Sequence, residues 1–247
     1  MSPNRTAAPQ EKQPLHFIRK HPGFRPGKGL PTVKRLESSP YYWWWQYLRR
    51  SQDYKRCCAQ RGRGALSKLY AEFGDVHSSD FADWWLERGR GLFSEPLTFT
   101  RTRVASSAEE LRAEDFKSAL VVVIPLHYTK RMARKRFGEL LRRHHPGRRS
   151  RTDLKKSRAK YPLWTEPNVR ALKKTLSVYD LRFSEPDLSL YEIGERLHLQ
   201  DEYVHTPGDT QYDVRYKRRL LGIVVSRYLR HAEAYIKNVA KGHFPRK

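Results

Sequence analysis

Three consecutive tryptophans, Trp43, Trp44 and Trp45, sit inside the segment Tyr41-Tyr-Trp-Trp-Trp-Gln-Tyr-Leu-Arg-Arg50. The preceding Ser39-Pro40 is a helix start: serine suits the N-cap and proline the first helical position. On a helix, successive residues turn by about 100°, so three tryptophans in a row sweep about 200° of its surface. One apolar stripe cannot bury them all. The segment must either be wedged between two elements or offer one indole face to a partner, and six Trp and fourteen Tyr in one chain favour burial on both sides.

Around this helix the pattern continues. Leu66, Leu69, Tyr70 and Phe73 share one side of a helix that Gly74 ends. Phe81, Trp84, Trp85 and Arg88 recur at helical spacing after Asp80, with Gly89 as the expected stop. Residues 38–96 therefore read as an aromatic-rich helical module. Ahead of it, residues 1–37 carry six prolines, three glycines, eight Lys or Arg and two acids. They read as a disordered basic arm, either inert or tracking phosphates.

The period then changes. Residues 97–104 are rich in β-formers, and 119–124, Ala-Leu-Val-Val-Val-Ile, form an apolar run closed by Pro125. Both are expected as strands, with a capping box at 107–110 opening a short helix between them. Residues 129–145 form a helix with Ala133, Phe137, Leu140 and Leu141 on one face and Arg131, Lys135 and Arg142 opposite. Residues 97–160 are thus expected to hold a small sheet, the basic helix and a basic connector.

The last part, 161–247, is helical again. Val169, Leu172, Leu176 and Tyr179 form one stripe, and Ser189 to Glu192 a capping box. A helix from about Val214 to Ala240 carries Leu221, Val225, Tyr228, Ala232, Tyr235 and Val239 in register. The expected fold class is α+β and mostly α-helical: an aromatic-rich N-terminal module, a small middle sheet and a helical C-terminal module.

Charge narrows the function. The chain holds 50 Lys+Arg against 26 Asp+Glu, a net +24. Between Lys130 and Lys160 there are fourteen Lys or Arg and two acids, Glu139 and Asp153. No core holds so many like charges, so this surface is solvated or meets a polyanion, and nucleic-acid phosphate is the natural partner. Lys130, Arg131, Arg134, Lys135, Arg142, Arg143, Arg148, Arg149 and Arg151 are its candidate contacts.

Other chemistry finds little support. Arg61-Gly-Arg-Gly-Ala-Leu-Ser-Lys68 lacks the order of a phosphate-binding loop. His144 and His145 diverge on a helix and have no completing ligand set, and no nucleophile stands by a base at a recognisable spacing. The expectation is a binding protein, not an enzyme, without cofactor or metal. The adjacent Cys57 and Cys58 imply no disulfide framework and a reducing, cytoplasmic setting, beside the nucleoid if the ligand is DNA. The longest apolar run is far short of the roughly 20 residues a membrane span needs, so no membrane partner is expected. The repeated Arg-Gly-Arg-Gly, at 61–64 and 88–91, reads as helix C-caps or as small Arg-Gly loops touching nucleic acid.

Two motifs carry resemblances. Ser189-Leu-Tyr-Glu-Ile-Gly-Glu-Arg-Leu-His-Leu199 and Val225-Ser-Arg-Tyr-Leu-Arg-His-Ala-Glu233 resemble the two helices of a helix-turn-helix of the kind in sigma-factor region four and sugar-responsive bacterial repressors. The resemblance covers about forty-five residues. It departs where His198 replaces a turn-forming glycine and where about twenty-five residues separate the halves. It implies that Ser226, Arg227 and Arg230 face a DNA groove while Arg215, Lys217, Arg218 and Arg219 hold the backbone. An ordinary helical bundle stays open beside it.

Tyr42-Trp-Trp-Trp-Gln-Tyr-Leu-Arg-Arg50 with Phe73-Gly-Asp-Val76 and Phe81-Ala-Asp-Trp-Trp-Leu-Glu-Arg-Gly-Arg-Gly-Leu-Phe93 is similar, over about residues 40–95, to uncharacterised proteins of bacterial conjugative elements and prophages. That likeness implies a mobile-element setting and no activity. The functional expectation is a DNA-binding regulator. Its alternatives are an RNA-binding component, marked by exposed aromatics bordering the basic surface, and a protein–protein adaptor or inhibitor docking through the Trp-rich module.

Overall fold

A computed structural model describes residues 15–24, 31–96, 104–105, 107–111, 116, 120–145, 154 and 157–247. The chain divides into two units: Met1–Glu95 with Leu154–Lys247, and Pro96–Asp153. The expected boundary between an N-terminal and a C-terminal helical module falls inside the first unit, because both halves build one core.

In that unit the chain runs α1 (Val33–Glu37), α2 (Pro40–Leu48), α3 (Gln52–Ala59), α4 (Ser67–Phe73), α5 (Phe81–Trp84), a π-helical turn (Trp85–Gly89) and α6 (Arg90–Phe93). It resumes with α8 (Val169–Ser184), α9 (Leu190–Arg196) and α10 (Gln211–Val239); α7 (Lys130–His144) belongs to the second unit. Helix makes up 58% of the structure and strand 2%; the expected small middle sheet is absent among the described residues, and the fold is essentially all-helical.

The three tryptophans of α2 are all buried, and the wedge is visible in what they touch. Trp45 faces Phe81 and Trp84. Trp44 touches Phe73 and Phe93 of the first half of the chain and Tyr161 and Phe244 of the second. Tyr47 donates a hydrogen bond to the Leu172 carbonyl at 3.0 Å, and Arg50 clasps Asp180 through two nitrogens at 2.7 and 3.1 Å. Helix α2 is therefore the shared centre of both chain halves. Trp43–45, Trp84 and Trp85 are all buried in the core.

Several local expectations change. Part of the expected disordered arm is structured: Phe17 packs on Trp85 and Tyr41, Arg19 pairs with Glu166, and α1 forms. Its few apolar side chains act as anchors that the prolines mask in the sequence. Gly89 does not end a helix. A Cβ there would lie 2.7 Å from the Trp84 ring, so the glycine lets two indoles lie on the backbone while helix continues to Phe93. The second Arg-Gly-Arg-Gly is thus helical. The first does cap: Arg61, Gly62 and Gly64 have φ of 53°, 84° and 105°, and the Gly62 N–H donates to the Cys57 carbonyl at 2.8 Å. Helix α3 was not expected; Ser51 caps it by accepting from the Tyr54 N–H.

In the second unit, residues 97–103, Ala119 and 146–153 lie outside the described residues. The described part of the expected buried strand, 120–124, forms no ladder, and Val123 is 89% exposed. An apolar run becomes a strand only when another strand satisfies its backbone, and none pairs with it among the described residues. The expected capping-box helix at 107–110 is a 3-10 turn, Ala108–Glu110, without a side-chain cap from Ser107. Helix α7 forms as expected, capped by Thr129.

Candidate nucleic-acid interface

Helix α10 begins at a reciprocal box: the Thr210 hydroxyl accepts from the Asp213 N–H at 3.2 Å, and Asp213 accepts from the Thr210 N–H at 3.0 Å. The Thr210 hydroxyl, donating to the carboxylate, and after it the Thr210 N–H hold the Asp213 carboxyl below its ordinary range. From this start the helix runs 29 residues. Leu221, Val225, Ala232, Tyr235 and Val239 are buried, the inward register expected from the sequence.

The outward register is the part that matters. At 100° per residue, Tyr212, Arg215, Tyr216, Arg219, Ile223, Arg227 and Arg230 fall within an arc of about 120°, a row about 27 Å long. All seven are exposed, and Ser226 beside them is half-buried. None of Arg215, Arg219, Arg227 and Arg230 makes an ion pair among the described residues. Elsewhere in this unit, cations that join elements are matched: Arg19 with Glu166, Arg50 with Asp180, Lys160 with Glu72, Lys173 with Glu37 and Arg196 with Glu185.

Two expected phosphate contacts are engaged in the fold. Lys217 is half-buried, bonded to both Asp209 oxygens at 2.8 and 2.9 Å; it holds the loop before α10, and the Asp209 carboxyl is held low by that lysine first and by Thr206 next. Arg218 is exposed but leans its guanidinium over the Tyr191 ring, 5.4 Å from the centroid.

The two halves of the helix-turn-helix pattern are neighbours. Helix α9 opens with the expected Ser189–Glu192 box. Its Gly194 meets Leu221 of α10 so closely that a Cβ would lie 2.5 Å from the Leu221 Cγ. His198 adopts φ 45°, the left-handed conformation for which the motif normally uses glycine. The connection differs: it holds a 3-10 turn, Asp201–Tyr203, and α10 then starts at Gln211. Ser226 and Arg227 consequently lie about four turns inside α10. A recognition helix usually reads bases with its first turns, and in α10 those carry Tyr212, Arg215, Tyr216 and Arg219. Tyr212 was missed in the sequence because the helix is expected there only from about Val214, and Tyr216 because the inward stripe drew the reading. The signal that pairs them is the Thr210–Asp213 box, which starts the helix ahead of Tyr212 and sets it one turn before Tyr216.

In the second unit, Lys130, Arg131, Arg134, Lys135, Arg142 and Arg143 of α7 are all exposed, while Arg136 pairs with Glu139 at 3.3 Å. Arg142 and Arg143 stand in the last turn, where the helix dipole favours cations. Arg148, Arg149 and Arg151 lie outside the described residues.

Among the described residues no three His, Cys, Asp or Glu side chains are placed to hold a metal, and no helix is long and apolar enough to cross a membrane. Cys57 and Cys58 are free and buried, and burial raises both thiol pKa values, that of Cys58 to about 12. Comparison of the sequence with protein families and curated proteins, and of the fold with solved structures, found no match.

Proposed function

We propose that this chain is a nucleic-acid-binding protein that grips phosphates with the outer row of α10, and that it binds without catalysing a reaction. One observation carries the reading: Arg215, Arg219, Arg227 and Arg230 line one helix face without a carboxylate partner among the described residues, in a unit that pairs its bridging cations. A row of unpaired arginines repels itself and is relieved by a polyanion. The exposed cations of α7 supply a second surface of the same kind on the other unit.

The test is fluorescence anisotropy on labelled nucleic acid across a salt series. Each neutralised phosphate contributes about −0.9 to the log–log slope on duplex DNA. Changing Arg215, Arg219, Arg227 and Arg230 together to Gln should flatten that slope by up to about 3–4 units. An unchanged slope in a folded variant rejects the α10 row.

The DNA-regulator version, as in a mobile-element repressor, has one specific support, the close packing of α9 on α10 at Gly194 and Leu221. It requires Arg227 to read a base. Arg227→Ala should then cost about 1–3 kcal/mol on a preferred sequence and far less on random DNA, while Arg219→Ala weakens both alike.

A further inference from the structure

Two large side chains at the start of α10 contribute nothing to the core. Tyr212 is 74% exposed and Tyr216 52%. They stand one helical turn apart with rings nearly parallel, 7° between planes and 6.2 Å between centroids. Neither hydroxyl makes a hydrogen bond among the described residues. Buried tyrosines of the same unit are used differently: Tyr47 and Tyr54 donate to the carbonyls of Leu172 and Gly74. Arg215 lies between the two exposed rings in sequence and Arg219 follows one turn on, both exposed and unpaired among the described residues.

We propose that Tyr212 and Tyr216 form a stacking platform for an unpaired base of single-stranded nucleic acid, with Arg215 and Arg219 on the adjoining phosphates. The inference rests on the nucleic-acid reading above and specifies its ligand. Aromatic faces beside free cations match the two chemistries that a single strand alternates, a planar base and an anionic phosphate. In a duplex both faces of each base are covered by its neighbours, so a ring on a surface helix meets only edges and backbone. An acidic peptide would satisfy the arginines and leave the tyrosine faces without planar partners. The platform reads the base face, which single-stranded DNA and RNA share.

The experiment compares single-stranded DNA, single-stranded RNA and duplex DNA of one sequence, using the full chain. In Tyr212→Ala/Tyr216→Ala both changes are on an exposed helix face and to the strongest helix former, so the fold is kept; circular dichroism verifies it. Single-strand affinity should fall about tenfold or more while duplex affinity stays within about twofold. Tyr212→Phe/Tyr216→Phe keeps the rings and should keep the affinity. A bromouracil-substituted strand should photo-crosslink to one of the two tyrosines, located by mass spectrometry. The DNA and RNA arms show which strand the platform serves. An equal loss on duplex and single strand, or no loss on either strand, overturns the platform and leaves the phosphate-binding row standing. Failure of the wild type to bind any of the three in a salt-dependent way overturns the nucleic-acid reading and the platform with it.

Discussion

Trp84 and Trp44 are fully buried indoles of one core that differ at one atom. The Trp84 Nε1–H donates to the Phe73 carbonyl at 2.7 Å, one of the carbonyls left over where α4 ends. The Trp44 Nε1–H is buried without a hydrogen-bond partner among the described residues. Replacing either residue by phenylalanine removes a similar volume, and the packing loss is similar, about 1–2 kcal/mol. The polar terms have opposite signs. Trp84→Phe leaves a buried carbonyl unpaired, at a cost of about 1–3 kcal/mol, whereas Trp44→Phe removes an unpaired donor and recovers a penalty of similar size. Trp84→Phe should therefore be less stable than Trp44→Phe by about 2–6 kcal/mol. At about 2–4 °C per kcal/mol for a unit of this size, the melting temperatures should differ by about 4–24 °C. Far-UV circular dichroism on heating and in urea measures the gap, with Trp44→Ala as a reference that should lose about 3–5 kcal/mol. Equal stability of the two phenylalanine variants, or a reversed order, would refute the assignment of hydrogen bonding in this core.

Three further outcomes follow from the geometry. Changing Arg131, Lys135 and Arg142 of α7 together to Ala should flatten the salt slope of duplex binding by up to about 3 units, and a folded variant with an unaltered slope removes α7 from the interface. Gly194→Val drives a side chain into Leu221 and should destabilise the α9–α10 pair by about 1–3 kcal/mol in urea titration, with an unchanged midpoint refuting the close approach. Burial depresses the pKa of both His77 and His231 below the ordinary histidine value, at His231 with help from Lys247, Arg227 and Arg230. The unfolded chain then binds more protons, so stability should fall as pH drops from about 7 toward 5; the double variant His77→Gln/His231→Gln should show a flatter profile, and an identical one would count against this origin.

What the sequence made legible was local. Pro40 at the first helical position, Asp80, Ser189–Glu192 and the heptad-like register of Leu221, Val225, Ala232 and Val239 all act within a turn or two of themselves, and the structure has them as expected, whereas Ser39 stands at the N-cap without a side-chain cap bond. The expectations that failed needed a distant partner. A β-rich run at 120–124 has no strand to pair with among the described residues, and Gly89 looks like a stop until two indoles are laid on it. The joining of α2 to α8 and α10 depends on Tyr161, Leu172, Tyr235 and Phe244, residues more than a hundred positions away whose spacing carries no mark of their target. At the candidate site the charge was legible but its sorting was not. Lys217 and Arg219 look alike in the chain, and only the loop carrying Asp209 makes one a strut and leaves the other free.

That sorting can be tested as a conflict between stability and binding. With 26 acids for 50 Lys+Arg, many cations must go unmatched, and the fold assigns carboxylates to those that tie elements together. Arg215 and Arg219 are a like-charge i,i+4 pair, and Arg227 and Arg230 an i,i+3 pair, each unfavourable by about 0.2–0.5 kcal/mol. Arg215→Glu/Arg227→Glu turns both into Glu–Arg pairs in the favourable order and adds an acid near the helix start, where the dipole welcomes it. The double variant should be more stable than the wild type by about 0.8–2 kcal/mol at low ionic strength, and the gain should fade as salt screens the pairs. Its affinity for nucleic acid should collapse at the same time. A row retained for a ligand predicts this opposition, because function then maintains a local arrangement that stability alone would remove. If the charge reversals instead destabilise the protein at low salt, the arginines are structural and the row loses its claim as an interface.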